Sequence, residues 1–172
     1  VRMNRLTNQI LSGAVVALLL VCAHNASAEK IWNWRYTSGS VVARGTLTTA
    51  ETADAQGFYP ILSIAGHRNG ERITGLHPTG KSIPGNEPFT LDNLIRIDSQ
   101  GQITPHGFGF ATASGGYANT FYAEFLATPV YMEVFVTPAN YSELPIQFSA
   151  TPVTEPEIQL DAPVGGSGKM DD

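Results

Sequence analysis

The stretch "ILSIAGHRNGERITGL", Ile61 to Leu76, decides the fold of this chain because it predicts two strands joined by a tight turn. Asn69-Gly70 is one of the strongest two-residue hairpin signals, since both residues accept the positive φ that such a turn needs. Pairing outward from the turn sets Arg68 opposite Glu71 and puts Gly75 inside the second strand. The sequence therefore predicts an antiparallel hairpin here.

A second motif overlaps this hairpin. Residues 75–82, "GLHPTGKS", match the nucleotide-binding P-loop pattern G-x-x-x-x-G-K-[ST] letter for letter. A working P-loop follows a strand and opens a helix at its Lys, so that the N-terminal amides of the helix hold phosphate. Here Gly75 lies within a strand, and Pro84 and Pro88 stand where a helix after Lys81 would run. We therefore predict no nucleotide site.

The stretch before this hairpin, "IWNWRYTSGSVVARGTL", predicts another hairpin, with Trp32, Trp34 and Tyr36 on one face of its first strand. A turn at Ser38-Gly39 would place Trp34 opposite Ala43, a large residue against a small one, as cross-strand packing prefers. We interpret the aromatic trio as core, because large aromatic residues dominate the energetics of small cores. The alternative is a platform that binds a ligand, because exposed aromatic rings stack on sugars.

Alternating segments continue to about residue 148, cut by Gly, Pro and Asn signals roughly every eight to twelve residues. About eight strands without a crossover helix predict antiparallel pairing. We expect an all-β fold, a jelly-roll-like β-sandwich over residues 29–150. Residues 151–172 are rich in Pro, Gly, Ser and acids and are expected to form a disordered tail. A calyx-like barrel with Trp32 and Trp34 lining its interior is the alternative architecture.

Residues 1–28 have the three parts of a secretory signal peptide: a basic start, an apolar block and a small-residue end, "ASA". The apolar block is shorter than the roughly 20 residues of a spanning helix. We expect export to the periplasm, the cell surface or the medium, with no integral span in the mature protein. The only cysteine, Cys22, lies in this segment. Lipidation at Cys22 is the alternative to cleavage after Ala28.

The charge balance argues against nucleic acid as a partner. The chain has 10 Lys and Arg against 15 Asp and Glu, and the leader would remove two of the arginines. A net acidic protein is repelled by a phosphate backbone. For an exported protein, extracellular polysaccharide or envelope components are the partners that we expect.

The last predicted hairpin offers a carboxylate pair. A two-residue loop at Thr128-Pro129 would place Glu124 opposite Glu133, on the face away from an apolar core face of seven residues: Phe121, Ala123, Phe125, Val130, Met132, Val134 and Val136. Opposed like charges destabilise a sheet. Such a pair would therefore act as a general acid and base, or bind a cation such as calcium.

The histidines outside the leader are His67, His77 and His106, and none has the spacing of a metal motif. No G-x-S-x-G nucleophile elbow is present either. We predict no metal, no cofactor and no catalytic residue, with Glu124 and Glu133 as the weak candidates for a metal.

The segments "GHRNGERITGLHPTGKSIPGNEPFTLDNLI" (residues 66–95) and "GFGFATASGGYANTFYAEF" (residues 107–125) carry a family resemblance. They resemble small exported β-domains of cyanobacteria and proteobacteria, many of which carry a C-terminal PEP-CTERM sorting signal. The resemblance covers roughly residues 31 to 137. It implies sorting to the surface or extracellular matrix, and it implies no catalytic residues. The end of this chain lacks the apolar span and the arginine cluster of that signal, which favours a soluble product.

These observations favour a non-enzymatic exported β-domain with a structural or ligand-binding role. A small extracellular hydrolase using Glu124 and Glu133 and a calyx-like small-ligand binder are the alternatives.

Overall fold

The computed structural model describes residues 29–98 and 101–154. These ranges contain no helix, so the all-β prediction is confirmed. The described strands are β1 (Lys30–Ser38), β2 (Val41–Thr49), β3 (Tyr59–Arg68), β4 (Glu71–Leu76), β5 (Leu94–Ile95), β6 (Phe108–Thr112), β7 (Tyr117–Ala123), β8 (Val130–Thr137) and β9 (Asn140–Pro152).

Eight of these strands form a closed antiparallel barrel, and the predicted β-sandwich is therefore wrong. Each strand pairs with the next in the order β1, β2, β3, β4, β6, β7, β8 and β9, and β9 returns to pair with β1. The strand β9 has 13 residues, so its first half pairs with β8 and its second half with β1. Closure pairs both edges that a sandwich sheet would leave free.

The first hairpin turns one residue later than predicted. The register sets Ser38 opposite Val41, so Gly39-Ser40 forms the turn and Trp34 pairs with Gly45 rather than with Ala43. Gly39 has a φ of 55°, which suits the first central position of a two-residue turn, where glycine is preferred. The shift of two residues in pairing keeps the same faces together.

The second hairpin forms as predicted around Asn69-Gly70, which have φ values of 49° and 81°, and Arg68 pairs with Glu71. Beyond Arg72, β4 leaves β3 and pairs with β6, where Gly75 lies opposite Ala111. Gly75 is therefore in a strand, as predicted. Ser82 forms an isolated bridge with Thr90 instead of starting a helix.

Aromatic side chains fill the interior of the barrel. Trp32, Trp34 and Tyr36 are at most 2% exposed. The Trp34 ring lies 5.9 Å from the rings of Phe108 and Phe110, centroid to centroid. Burial of such rings is the main favourable term in a fold of this size.

The predicted domain boundary at residue 150 falls within β9, which continues to Pro152. Most of the predicted tail (residues 155–172) and the predicted leader with Cys22 lie outside the described residues. Within the described ranges, no helix is long and apolar enough to span a membrane.

Candidate functional site

The predicted carboxylate pair does not form. Thr120, rather than Glu124, lies opposite Glu133, because β7 and β8 pair from Ala123 and Val130 outward and leave a loop of six residues between them. Glu124 is exposed in that loop, whereas Glu133 is fully buried. The predicted register is wrong because the loop is longer than two residues, so Glu124 and Glu133 cannot share a proton or a cation.

Glu133 points into the barrel and binds two partners there. Its carboxylate accepts two hydrogen bonds from Arg68, from Nε at 2.7 Å and from Nη2 at 2.8 Å. It also accepts a short hydrogen bond from the hydroxyl of Tyr36. The guanidinium of Arg68 lies 3.6 Å from the ring centroid of Phe135. We call Tyr36, Arg68 and Glu133 the buried trio.

The buried trio is a closed electrostatic unit. Burial raises the pKa of Tyr36 well above its ordinary value, and the charge of Glu133 raises it further, so the phenol stays protonated and donates. The bidentate geometry is the strong form of an Arg–carboxylate pair. The three side chains are one another's hydrogen-bond partners inside the barrel, and we therefore assign the trio a structural role.

The three candidate histidines lie apart. His67 is exposed on β3, His77 contacts the Ser82 carbonyl through Nε2 at 2.8 Å, and His106 contacts the Thr90 carbonyl through Nδ1 at 2.9 Å. No group of three His, Cys, Asp or Glu residues in the described ranges could hold a metal ion.

Residues 77–92 contain most of the P-loop match. Hydrogen bonds of Asn93 hold this segment against the outside of the barrel. This residue is 1% exposed and has a φ of 53°. Its Nδ2 donates to the His77 carbonyl at 2.8 Å and to Thr79 Oγ1 at 2.9 Å, while its Oδ1 accepts from the Gly109 amide at 3.2 Å. These hydrogen bonds fix the segment on the barrel, and we call residues 77–92 the cover.

The cover packs on the outward face of β6 to β8. Ile83 and Leu91 are buried against Val134, and Tyr117, Phe121 and Val136 pack around them. Gly109 makes this contact possible, since a Cβ at this position would overlap the Leu91 side chain. The predicted core face of the last hairpin is therefore the outer face of the barrel, and this second apolar cluster covers part of it.

An open groove of about 300 Å³ lies beside the cover, over β7, β8 and β9. Three aromatic side chains at its rim are strongly exposed: Phe89 at 65%, Phe125 at 70% and Tyr141 at 50%. We call this the aromatic groove; it is lined by Asn86, Phe89, Pro105, Asn119, Phe121, Phe125, Val134, Tyr141 and Glu143. A concave patch of this kind is typical of ligand-binding grooves.

Asn119 lines the aromatic groove from β7, where it pairs with Val134 of β8. The residue is 3% exposed, and its Oδ1 has no hydrogen-bond partner among the described residues. A buried amide without a partner costs about 1–3 kcal/mol. The terminal torsion of Asn is broad and two-fold, so the carboxamide can reorient to meet a partner in the groove.

Sequence reasoning missed the aromatic groove. It assigned Phe121, Phe125 and Val134 to the core, and it left Asn119 and Tyr141 unassigned. The available signal was Asn119 itself, a polar residue at the same alternating position as the apolar Tyr117 and Phe121. The side chains of Trp32, Trp34 and Tyr36 lie inside the barrel, as the core interpretation predicted, and do not form an exposed platform, which was the alternative.

Comparison of the chain with protein-family models, with curated proteins and with solved structures found no match.

Proposed function

We propose that this protein is an exported, non-enzymatic ligand-binding β-domain, and that its aromatic groove holds a segment of extracellular polysaccharide. The signal-like pattern of residues 1–28 supports export. The observation that carries the proposal is Asn119 Oδ1, a buried acceptor without a partner among the described residues, on a side chain that lines a groove rimmed by exposed aromatic rings.

The chemistry of a sugar matches this arrangement. A pyranose ring has an apolar C–H face, which packs on aromatic rings such as Phe125 and Tyr141, and hydroxyl groups at its edge, which donate and accept hydrogen bonds. A hydroxyl placed at the groove floor would supply the partner that Asn119 lacks and so recover its desolvation cost. The carboxylate of Glu143 at the rim is exposed and can accept a further hydroxyl.

The geometry gives less support to the two alternative functions. The hydrolase needs two neighbouring carboxylates, and Glu133 is enclosed in the barrel while Glu124 is exposed in a loop. The calyx needs an open cup, and the interior rings of Trp32 and Trp34 are packed among other side chains.

The test is titration of the protein with three neutral hexasaccharides, cellohexaose, mannohexaose and chitohexaose, followed by NMR of the backbone amides. We expect at least one of them to shift amides of β7 and β9 at Asn119 and Tyr141. The variant Phe125→Ala should weaken that binding about tenfold, or about 1.4 kcal/mol. Leu62→Ala removes an exposed apolar side chain elsewhere, on β3, and should leave binding unchanged.

The variant Asn119→Ala separates the proposed role from packing. It should abolish the shifts with little loss of stability, because it removes a buried amide whose Oδ1 lacks a partner among the described residues. The proposal fails if none of the three sugars shifts the groove amides, or if Phe125→Ala and Leu62→Ala bind alike.

A further inference from the structure

A row of three arginines and one histidine crosses the outer face of the barrel at one level. The registers set Arg35 of β1 opposite Arg44 of β2, Arg44 opposite His67 of β3, and His67 opposite Arg72 of β4. All four side chains are exposed. Adjacent strands lie about 4.8 Å apart, so these groups form a continuous row, which we call the cationic row.

The cationic row has no carboxylate to balance it. The strands β1, β2 and β3 contain no Asp or Glu, and the one acid of β4, Glu71, accepts a hydrogen bond from the Ser114 amide, although the whole chain has 15 acidic residues against 10 Lys and Arg. Among residues 29–98 and 101–154, the salt bridges are Arg68–Glu133 and Arg96–Asp98, and neither involves Arg35, Arg44 or Arg72. Positive charge is thus concentrated on one face of an acidic protein.

This arrangement does not stabilise the sheet. Like charges directly opposite each other in neighbouring strands are unfavourable, by an amount comparable to the roughly 0.2–1 kcal/mol of a favourable pair. Arg35 and Arg44 are such a pair. The stability of the sheet therefore does not explain the row, and its guanidinium groups are open to an external anion.

The face around the cationic row is concave. A groove of about 680 Å³ runs over β1, β2, β3 and β9, and Arg35, Arg44 and His67 line it. Neutral hydrogen-bonding residues flank the row, with Thr151, Asn33 and Thr46 paired across three strands on one side. A ligand there meets hydroxyl and amide groups beside positive charge.

We infer that the cationic row is a second binding site, for a linear polysaccharide that carries carboxylates, such as a polyuronate. The planar guanidinium groups of Arg35 and Arg44 match carboxylate geometry bidentately. The flanking side chains of Asn33, Thr46 and Thr151 match the hydroxyl groups between the carboxylates. This site goes beyond the neutral saccharide proposed for the aromatic groove, and it is made from different strands.

A nucleic acid is a poorer match to the same face. Single-stranded binding uses aromatic side chains on which bases stack. Here the aromatic residues of β1, Trp32, Trp34 and Tyr36, all point into the barrel.

The experiment measures binding of the protein to immobilised polygalacturonate at low and at high salt, with dextran as the neutral control polymer and oligothymidylate as the nucleic acid. We expect binding to polygalacturonate alone, weakening as salt screens the charges. The double variant Arg35→Gln/Arg44→Gln should weaken this binding about tenfold or more, since it removes two charge-assisted contacts. Lys81→Gln removes one exposed charge on the cover and should not change it.

Four results would overturn the inference: no binding to polygalacturonate at low salt, equal binding by the double variant, an equal loss with Lys81→Gln, or tighter binding to oligothymidylate. The two proposed sites fail separately. Phe125→Ala should leave polygalacturonate binding intact, and Arg35→Gln/Arg44→Gln should leave the shifts caused by the neutral hexasaccharide intact.

Discussion

On strands β1, β2 and β3, the arginine inside the barrel is paired with a carboxylate, whereas the arginines outside are not paired with any among the residues that the structure describes. Arg68 points into the barrel from β3, where Glu133 and Tyr36 complete a hydrogen-bonded trio. Arg35 and Arg44 point outward from β1 and β2, face each other, and have no carboxylate partner in the described ranges. The charge of Arg68 is paired and buried, whereas the charges of Arg35 and Arg44 are unpaired within the described part of the chain and exposed to solvent.

The difference follows from what burial does to a charge. A charge removed from water must be paired and hydrogen-bonded, because its desolvation otherwise costs several kcal/mol. A charge at the surface keeps its water, so an unpaired arginine there costs little. The buried trio therefore serves the fold, whereas the cationic row remains available to a ligand.

The largest expected effect on stability comes from removing the buried charge of Arg68. Arg68→Met keeps most of the side-chain volume but leaves the Glu133 carboxylate buried without a cation, so we expect a loss of about 3–5 kcal/mol in the free energy of unfolding. Arg44→Met makes the same change on the outer face and should lie within about 0.5 kcal/mol of wild type. Urea unfolding of both variants measures the difference.

A double variant, Arg68→Met/Glu133→Gln, shows whether the loss comes from the stranded charge. It should recover much of the stability, since the amide that replaces the carboxylate carries no charge. Equal stabilities of Arg68→Met and Arg44→Met would contradict the contrast between inside and outside.

A smaller effect sharpens the account of the buried trio. Tyr36→Phe removes the third hydrogen bond to the Glu133 carboxylate while keeping the ring in the core. Hydrogen bonds to charged groups contribute about 1.5–3 kcal/mol, and we expect a loss of that size in thermal or urea unfolding. Tyr141→Phe, with an exposed ring, is the matched control and should have little effect. An unchanged stability of Tyr36→Phe would show that Arg68 alone satisfies the carboxylate.

The smallest expected effect concerns Asp92, a half-buried carboxylate that accepts from the Thr104 hydroxyl at 2.6 Å rather than from an arginine. Burial raises the pKa of Asp92, and the hydrogen bond from Thr104 lowers it by a smaller amount. The folded state therefore holds the proton more tightly than the unfolded chain, whose Asp pKa is about 3.9. As the pH rises from about 3.9 through the raised pKa of the folded state, the contribution of Asp92 to the free energy of unfolding falls.

Asp92→Asn removes this titration. We expect the stability of the variant relative to wild type to increase as pH rises through that window and to level off above it, in urea unfolding measured at several pH values. A difference that stays constant with pH, or that decreases as pH rises, would contradict the raised pKa.

The local elements were predictable from sequence. The Asn69-Gly70 turn, the strand position of Gly75 and the all-β class follow from turn chemistry and alternation, which act between residues close in the chain. The register of the first hairpin was wrong by two residues because two adjacent turns were compatible with the same faces. Gly39 decided between them through its positive φ.

The candidate sites were less predictable. Alternation in β8 separates Met132, Val134 and Val136 from Tyr131, Glu133 and Phe135, and the more uniformly apolar set suggested the core face. In the structure Glu133 points inward, because Arg68 and Tyr36 from distant strands satisfy it. Such partners lie 65 and 97 residues away and have no local signature.

The sequence by itself determined that the chain is built from extended segments, that it turns at Asn69-Gly70, and that the P-loop pattern lacks the helix it needs. Only the tertiary structure decided that β9 closes on β1, which faces became interior, and which arginines were paired or left open. The physical reason is the range of the interactions. Turn conformation and side-chain alternation depend on neighbouring residues, whereas closure and charge pairing depend on strands that meet only after folding.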